Sequence, residues 1–463
     1  MCCGLAVEAQ APTAYDGVVQ TSNKELRSQA EQHRRAGEAA EEATLWREGA
    51  DAYERCLSAV GQAADGAGQD EAELLTALGR CYWNLSEART AWRTLRRAIS
   101  LYQERGDGTG KARATVEILR VWGPPERHRT MAEDALQSLS DAEPYLRARL
   151  LLGLRWLDDS PDEKYEEAIA LGEQHGFEDI VVTRVEREAW QAFEEGRIDD
   201  GTALLLDAHE THARLRIHDA AAGTLRGAGF GLLEFGRLDE GFDLAKRAFE
   251  YASSVNLHFA AQLGLMDMAG VAFARSDFAR CEQVLAQTPS DSDFRGDLYR
   301  MWMAETRGDM DDALGLMVDP ERGGRTPTAV GQIHASSAGL LFRAGRKDAA
   351  AQALREWAQI MRPDRDAYWM EAPALLECLV ALGDDDLLEK VYDSFNNRDE
   401  RIKSPARFST LQGRALAPVR GGICLRLGLR EEAERQYREG LAWCERERCD
   451  RDAELCRAGL RSI

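Results

Sequence analysis

Apolar residues recur at spacings of three and four along almost the whole chain, with polar and charged residues between them. That period marks amphipathic helices with one buried stripe. Strict apolar–polar alternation, the mark of half-buried strands, is nearly absent. Ala, Leu, Arg and Glu dominate and are compatible with helix. A longer period lies above the short one. An apolar helix end, a turn with glycine and an acidic stretch recur as FEEGRIDDG (193–201), FGRLDEG (235–241), TRGDMDDA (306–313), FRAGRKDAA (342–350), LGDDDLLE (382–389) and LGLREEA (427–433). The turn glycines Gly196, Gly236, Gly308, Gly345, Gly383 and Gly428 lie roughly 37–45 residues apart, except between 236 and 308. That interval holds two units, the second opened by the glycine-free FARSDFA (273–279). Glycine leaves a helix in the left-handed conformation that other residues avoid. The acids that follow are expected to cap the next helix and suit its dipole.

The clearest unit is LGRCYWNLSEARTAWRTLRRAISLY (78–102). Leu78, Gly79, Tyr82, Ala91, Leu95 and Ala98 resemble the tetratricopeptide pattern: small residues where two helices approach, larger ones filling the space beside them. Gly229, Gly421, Ala433 and Tyr437 repeat parts of the scheme, and Gly49, Tyr53 and Cys56 its second half. The expected fold is all-α, with tetratricopeptide-like helix-turn-helix repeats stacked into a right-handed superhelix. A poorly ordered tail is expected over 1–22 and about ten helix pairs over 23–463.

The net charge of −21 works against direct nucleic-acid binding, and no Lys/Arg-rich arm offsets it. No apolar run reaches the ~18–20 residues of a membrane span, and the N-terminus MCCGLAVEAQ lacks the regions of a signal peptide. The ten cysteines are scattered through apolar helical contexts and read as reduced thiols, so the expected location is the cytoplasm.

One stretch imitates a phosphate loop. GDGTGK (106–111) ends in Gly-Lys, but three residues rather than four separate Gly106 from Gly110, Ala112 replaces the hydroxyl residue, and a helix precedes it. It reads as a turn between repeats. HETHARLRIH places His209, His212 and His218 close together without the HExxH order, and Cys444, Cys449 and Cys456 fail zinc spacing. No catalytic residue, metal or cofactor is expected. Registering the units on their turns puts Arg80, Trp83, Trp190, Phe193, Phe230, Trp302 and Phe342 near the inward positions of the first helices. They read either as a partly exposed binding stripe along a concave face or as core between stacked repeats.

The C-terminal third carries a more particular likeness. DAYWMEAPALLECLVALGDDDLLEKVYDSF (366–395) and RALAPVRGGICLRLGLREEAERQYREGLAWCERERC (414–449) resemble the tetratricopeptide-like tail of bacterial STAND ATPase regulators, LuxR-type activators and adenylate/guanylate cyclases. Trp369, Gly383, Asp384, Tyr392, Gly428, Glu432, Ala433, Glu434, Tyr437 and Leu441 carry the match over about 90 residues. The resemblance implies a sensing region without the ATPase or effector domains. The expected function is non-enzymatic: a protein–protein interaction module or scaffold in bacterial signalling, binding a peptide or partner domain in its groove. The alternative is a small-ligand sensor acting in trans on an ATPase, cyclase or transcription factor. No direct nucleic-acid or membrane partner is expected, and oligomeric state stays open.

Overall fold

The computed structural model describes residues 14–62, 68–121, 125–155, 162–288, 294–319, 327–360, 373–382, 385–396, 408–409 and 413–463. Among them lie 23 helices and one two-residue antiparallel ribbon. The chain divides into two compact units, 1–168 and 169–463. The first holds α1 (Ala14–Glu42), α2 (Trp46–Gln62), α3 (Gly68–Asn84), α4 (Ala88–Glu104), α5 (Gly108–Arg120), α6 (Pro125–Ser138) and α7 (Pro144–Arg155), and the boundary falls inside α8 (Asp162–His175). The second begins with α9 (Glu178–Glu194), α10 (Ile198–Arg214), α11 (His218–Glu234), α12 (Leu238–Ser254), α13 (His258–Ala274), α14 (Phe278–Leu285), α15 (Phe294–Thr306) and α16 (Met310–Gly315). It continues with α17 (Pro327–Arg343), α18 (Lys347–Ile360), α19 (Pro373–Leu382), α20 (Asp385–Asn396), the ribbon β1 (Phe408–Ser409) and β2 (Arg414–Ala415), α21 (Ala417–Arg426), α22 (Arg430–Glu447) and α23 (Asp450–Ser462). Of the expected tail, residues 1–13 lie outside the described residues and 14–22 belong to α1. No helix among the described residues is long and apolar enough to cross a membrane.

Both units are tetratricopeptide-like stacks of helix hairpins. The turns follow the sequence phrase: Gly196, Gly236, Gly308, Gly345 and Gly428 have φ between +72° and +87°. Gly383 lies outside the described residues. Where glycine is missing from FARSDFA, Ser276 takes φ +56°. The acids after these turns act in two ways. Asp277 and Asp309 cap their helices by accepting from the Arg280 and Asp312 amides. After Gly196 and Gly236, however, the N-caps are Arg197 and Arg237, which make no side-chain cap, and the acids sit inside the first helical turn. There they act on the dipole alone.

Small residues stand where the hairpins close. A Cβ on Gly79 would lie 2.5 Å from Leu95 Cγ, and Ala91 and Leu95 are fully buried. Tyr437 enters a slot between Gly421 and Gly459, where added Cβ atoms would come within 2.6 Å and 2.3 Å of its ring. In the second unit the first helices of successive hairpins, α11, α13, α15, α17, α19, α21 and α23, also pack on one another. They form the inner row of the stack. Thirteen of the 17 residues of α13 are buried, and α11, α12, α14, α15 and β2 all pack on it. Gly413, beside β2, meets Gly270 of α13 so closely that a Cβ would sit 2.6 Å from the Gly270 carbonyl oxygen.

Candidate binding faces on the inner helices

The seven residues expected on the inner face divide by unit and by burial. Arg80 and Trp83, on α3, belong to the first unit, and the other five to the second. Trp83 is half-buried. Phe193 and Trp302 are core residues, 2% and 4% exposed, which corrects their place on an exposed stripe. Phe193 fills the gap beside Gly231, whose added Cβ would meet its ring at 2.4 Å. Trp302 lies edge-on to Tyr299 at 5.2 Å and 6.1 Å from Phe273. Phe342 is half-buried against the core of α17–α19.

Trp190 remains open, 37% exposed on α9. Its indole stands 5.5 Å from the Phe193 ring and 3.4 Å from the place a Cβ would occupy on Gly227 of α11. One turn earlier, Gly223 has open space where its side chain would be. Farther along α11, the Arg226 guanidinium lies 5.3 Å from the Phe230 ring centroid and grips Asp267 of α13 with two hydrogen bonds, 2.7 and 3.1 Å. Helix α11 thus meets the Trp190 indole of α9 at Gly227, leaves open space at Gly223 and holds α13 through Arg226.

Charged links from inner helix to inner helix escaped the sequence reading, Arg80 apart. In the first unit, Arg80 donates to Glu117 of α5 at 2.9 Å and to Glu41 of α1 at 3.3 Å. Tyr53 and Cys81 also donate to Glu41, and Arg120 donates to Glu117. In the second unit Arg343 of α17 pairs with Glu305 of α15 and, at 2.5 Å, with Glu377 of α19. Glu377 pairs in turn with Arg414 at 2.7 Å. Asp452 of α23 accepts from Arg414 Nε and Nη2 at 3.2 Å each and from the Ala415 amide at 2.7 Å. The sequence signal was present: charges interrupting the apolar inner helices, with partners 34–41 residues away.

These networks bias their carboxylates in opposite directions. Burial pushes the Glu41 pKa up, and the Arg80 guanidinium, which Glu41 shares with Glu117, only partly offsets it. Burial opposes ionisation of Glu377 too, but the Arg414 and Arg343 guanidiniums together hold it below the usual carboxylate range. Burial also lowers the pKa of Arg451, whose neighbour Arg414 adds to the effect.

The phosphate-loop imitation is a helix start. Gly106 turns the chain at φ +69°, Asp107 caps α5 by accepting from the Gly110 amide at 2.8 Å, and Lys111 is buried against Asp134 at 2.6 Å. The histidines likewise serve packing. His209 bonds to the Ala221 carbonyl, His212 to Glu186 and His218 to the Tyr251 hydroxyl. Eight described cysteines are buried and form no disulfide, and burial raises the thiols of Cys378 to about 11 and of Cys281 and Cys424 to about 12, which leaves them unreactive near neutrality. Of the residues carrying the regulator likeness, Trp369, Gly383 and Asp384 lie outside the described residues.

No family model matches the chain, and no curated protein matches its sequence. Solved structures do. A Rap protein complexed with competence and sporulation factor is similar at a TM-score of 0.42 and 12% identity, covering 82% of this chain and 99% of that chain. A monomeric IFIT1 mutant with Gppp-AAAA is similar at 0.41 and 14%, covering 92% and 95%. Yeast Tom70 is similar at 0.28 and 11%, covering 93% and 95%. At such scores and identities neither geometry nor function transfers.

Proposed function

We propose that the chain is a non-enzymatic interaction protein whose second unit docks a peptide or partner segment on the inner side of α9, α11 and α13. The observation that carries this is Trp190, an indole 37% exposed on a helix whose Phe193 is core. Burying an exposed large aromatic is how interfaces gain much of their affinity, and the open space at Gly223 gives a ligand backbone room to approach. A cytoplasmic location and a role in bacterial signalling, beside an ATPase or effector acting in trans, belong to the same proposal. They rest on the regulator likeness, whose last repeat folds as a helical hairpin: Gly428 is left-handed, Ala433 is fully buried and Tyr437 is packed.

Affinity capture from native lysate, run with wild type and Trp190→Ala at matched thermal stability, tests the reading. A captured species that the variant loses by about 2 kcal/mol of affinity supports it. Equal capture by both overturns the Trp190 face. A thermal-shift screen run alongside separates a metabolite ligand from a protein one.

A further inference from the structure

The far end of the second unit holds a different contact, independent of the Trp190 face. Helix α22 is anchored by apolar packing: Trp443 is 1% exposed within the core of α11–α15, and its Nε1 donates to the Gly236 carbonyl. Helix α23 shares in apolar packing through Ala453 and Cys456 but adds buried charges. Its buried residues are Asp452, Ala453 and Cys456, while Leu455 is 37% exposed. Leu460 and Ile463 add partly buried contact, and Gly459 receives the Tyr437 ring. The specific attachments are polar. Asp452 takes its three hydrogen bonds from Arg414 and Ala415. Arg451 donates to the Thr306 hydroxyl of α15 at 3.0 Å and lies 6.0 Å from the Phe273 ring of α13. A buried charged contact returns much of its attraction as desolvation cost, so it fixes geometry more than it adds holding strength. Removal of α23 lets Asp452 and Arg451 regain water, and Arg414 keeps Glu377.

We propose that α23 is a replaceable occupant of this inner face, and that the site it fills accepts another helix with adjacent arginine and aspartate followed by small residues at the positions of Ala453, Cys456 and Gly459. Held in place, α23 blocks that site in cis. A partner helix of this pattern takes over the hydrogen bonds of Arg414, the Ala415 amide and the Thr306 hydroxyl as α23 leaves.

The buried thiols supply the test. Cys456 on α23, Cys281 on α14 and Cys378 on α19 are all fully buried. Maleimide labelling of the full chain under native conditions, mapped by peptide mass, compares their rates. Cys456 is expected to react at least about tenfold faster than the two standards, and Asp452→Asn to raise its rate about tenfold again while the standards stay unchanged. A thiol-free 448–463 peptide, with Cys449→Ala and Cys456→Ala, is expected to raise Cys456 labelling further, and the same peptide with Asp452→Asn to leave it unchanged. One common rate for all three thiols in wild type and variant overturns the proposal, and so does a Cys456 rate indifferent to the thiol-free peptide that keeps Asp452. Should Asp452→Asn unfold the unit and raise all three rates, Arg451→Gln takes its place and the same comparison decides.

Discussion

The two units solve one problem with opposite results. Each links successive inner helices by arginine–carboxylate contacts one repeat apart. In the first, Glu41 has one guanidinium, Arg80, which it shares with Glu117, and burial wins and holds its pKa up. In the second, one carboxylate, Glu377, lies between two guanidiniums and is held ionised. The local count of partners, not burial itself, decides whether a buried charge supports the fold.

The strongest way to break this contrast is Arg414→Ala. It leaves Glu377 with Arg343 alone and Asp452 with the Ala415 amide alone, and should cost about 3–5 kcal/mol in urea unfolding. Asp267→Ala removes the partner of Arg226, whose side chain is 26% exposed and can reach water, so about 1–3 kcal/mol is expected by the same measurement. Glu41→Gln should leave stability within about 1 kcal/mol of wild type, on the stabilising side, because the amide still accepts from Tyr53 and Arg80 without the cost of a buried charge. A loss as large as that of Arg414→Ala would erase the contrast. Smallest of all, Arg237→Ala cuts an exposed link to Asp199 and should change stability by about 0.5 kcal/mol or less, fading with added salt.

Acid sharpens the same comparison. The raised pKa of Glu41 means that its contribution is complete below the ordinary glutamate value of 4.5 and is lost as pH rises through the folded value. The lowered pKa of Glu377 means that its contribution is present above 4.5 and is lost as pH falls through its folded value. Hydrogen exchange at a series of pH values, corrected for intrinsic rates and read separately on α1–α3 and α17–α19, should show these opposite trends in Glu→Gln difference experiments at the two positions.

The repeat and its turns were legible because their chemistry is local: a glycine, the acids beyond it and the small residues of one hairpin lie within about 25 residues. Even Ser276, standing where glycine was missing, sat at the expected turn. The exposure of aromatics was not legible, since an inner helix carries one face toward its hairpin partner and another toward neighbouring inner helices. Trp190 and Phe193 are three residues apart on one helix, yet one is open and the other core. α13 shows the limit: it is buried nearly all round, and one of the elements packed on it, β2, lies about 140 residues later. The charge links were hidden for a related reason. Pairing Glu305 with Arg343 requires the registers of two helices 38 residues apart, which no single repeat contains.

The alternation of sign along Glu305, Arg343, Glu377 and Arg414 makes this stretch of the array a matter of parity. A chain engineered without 327–360 would set Glu305 beside Glu377, acid against acid in a poorly hydrated place, whereas loss of two consecutive hairpins would return Glu305 to an arginine. Growth or shrinkage by repeat duplication, harmless in an uncharged solenoid, is here favoured only in even steps.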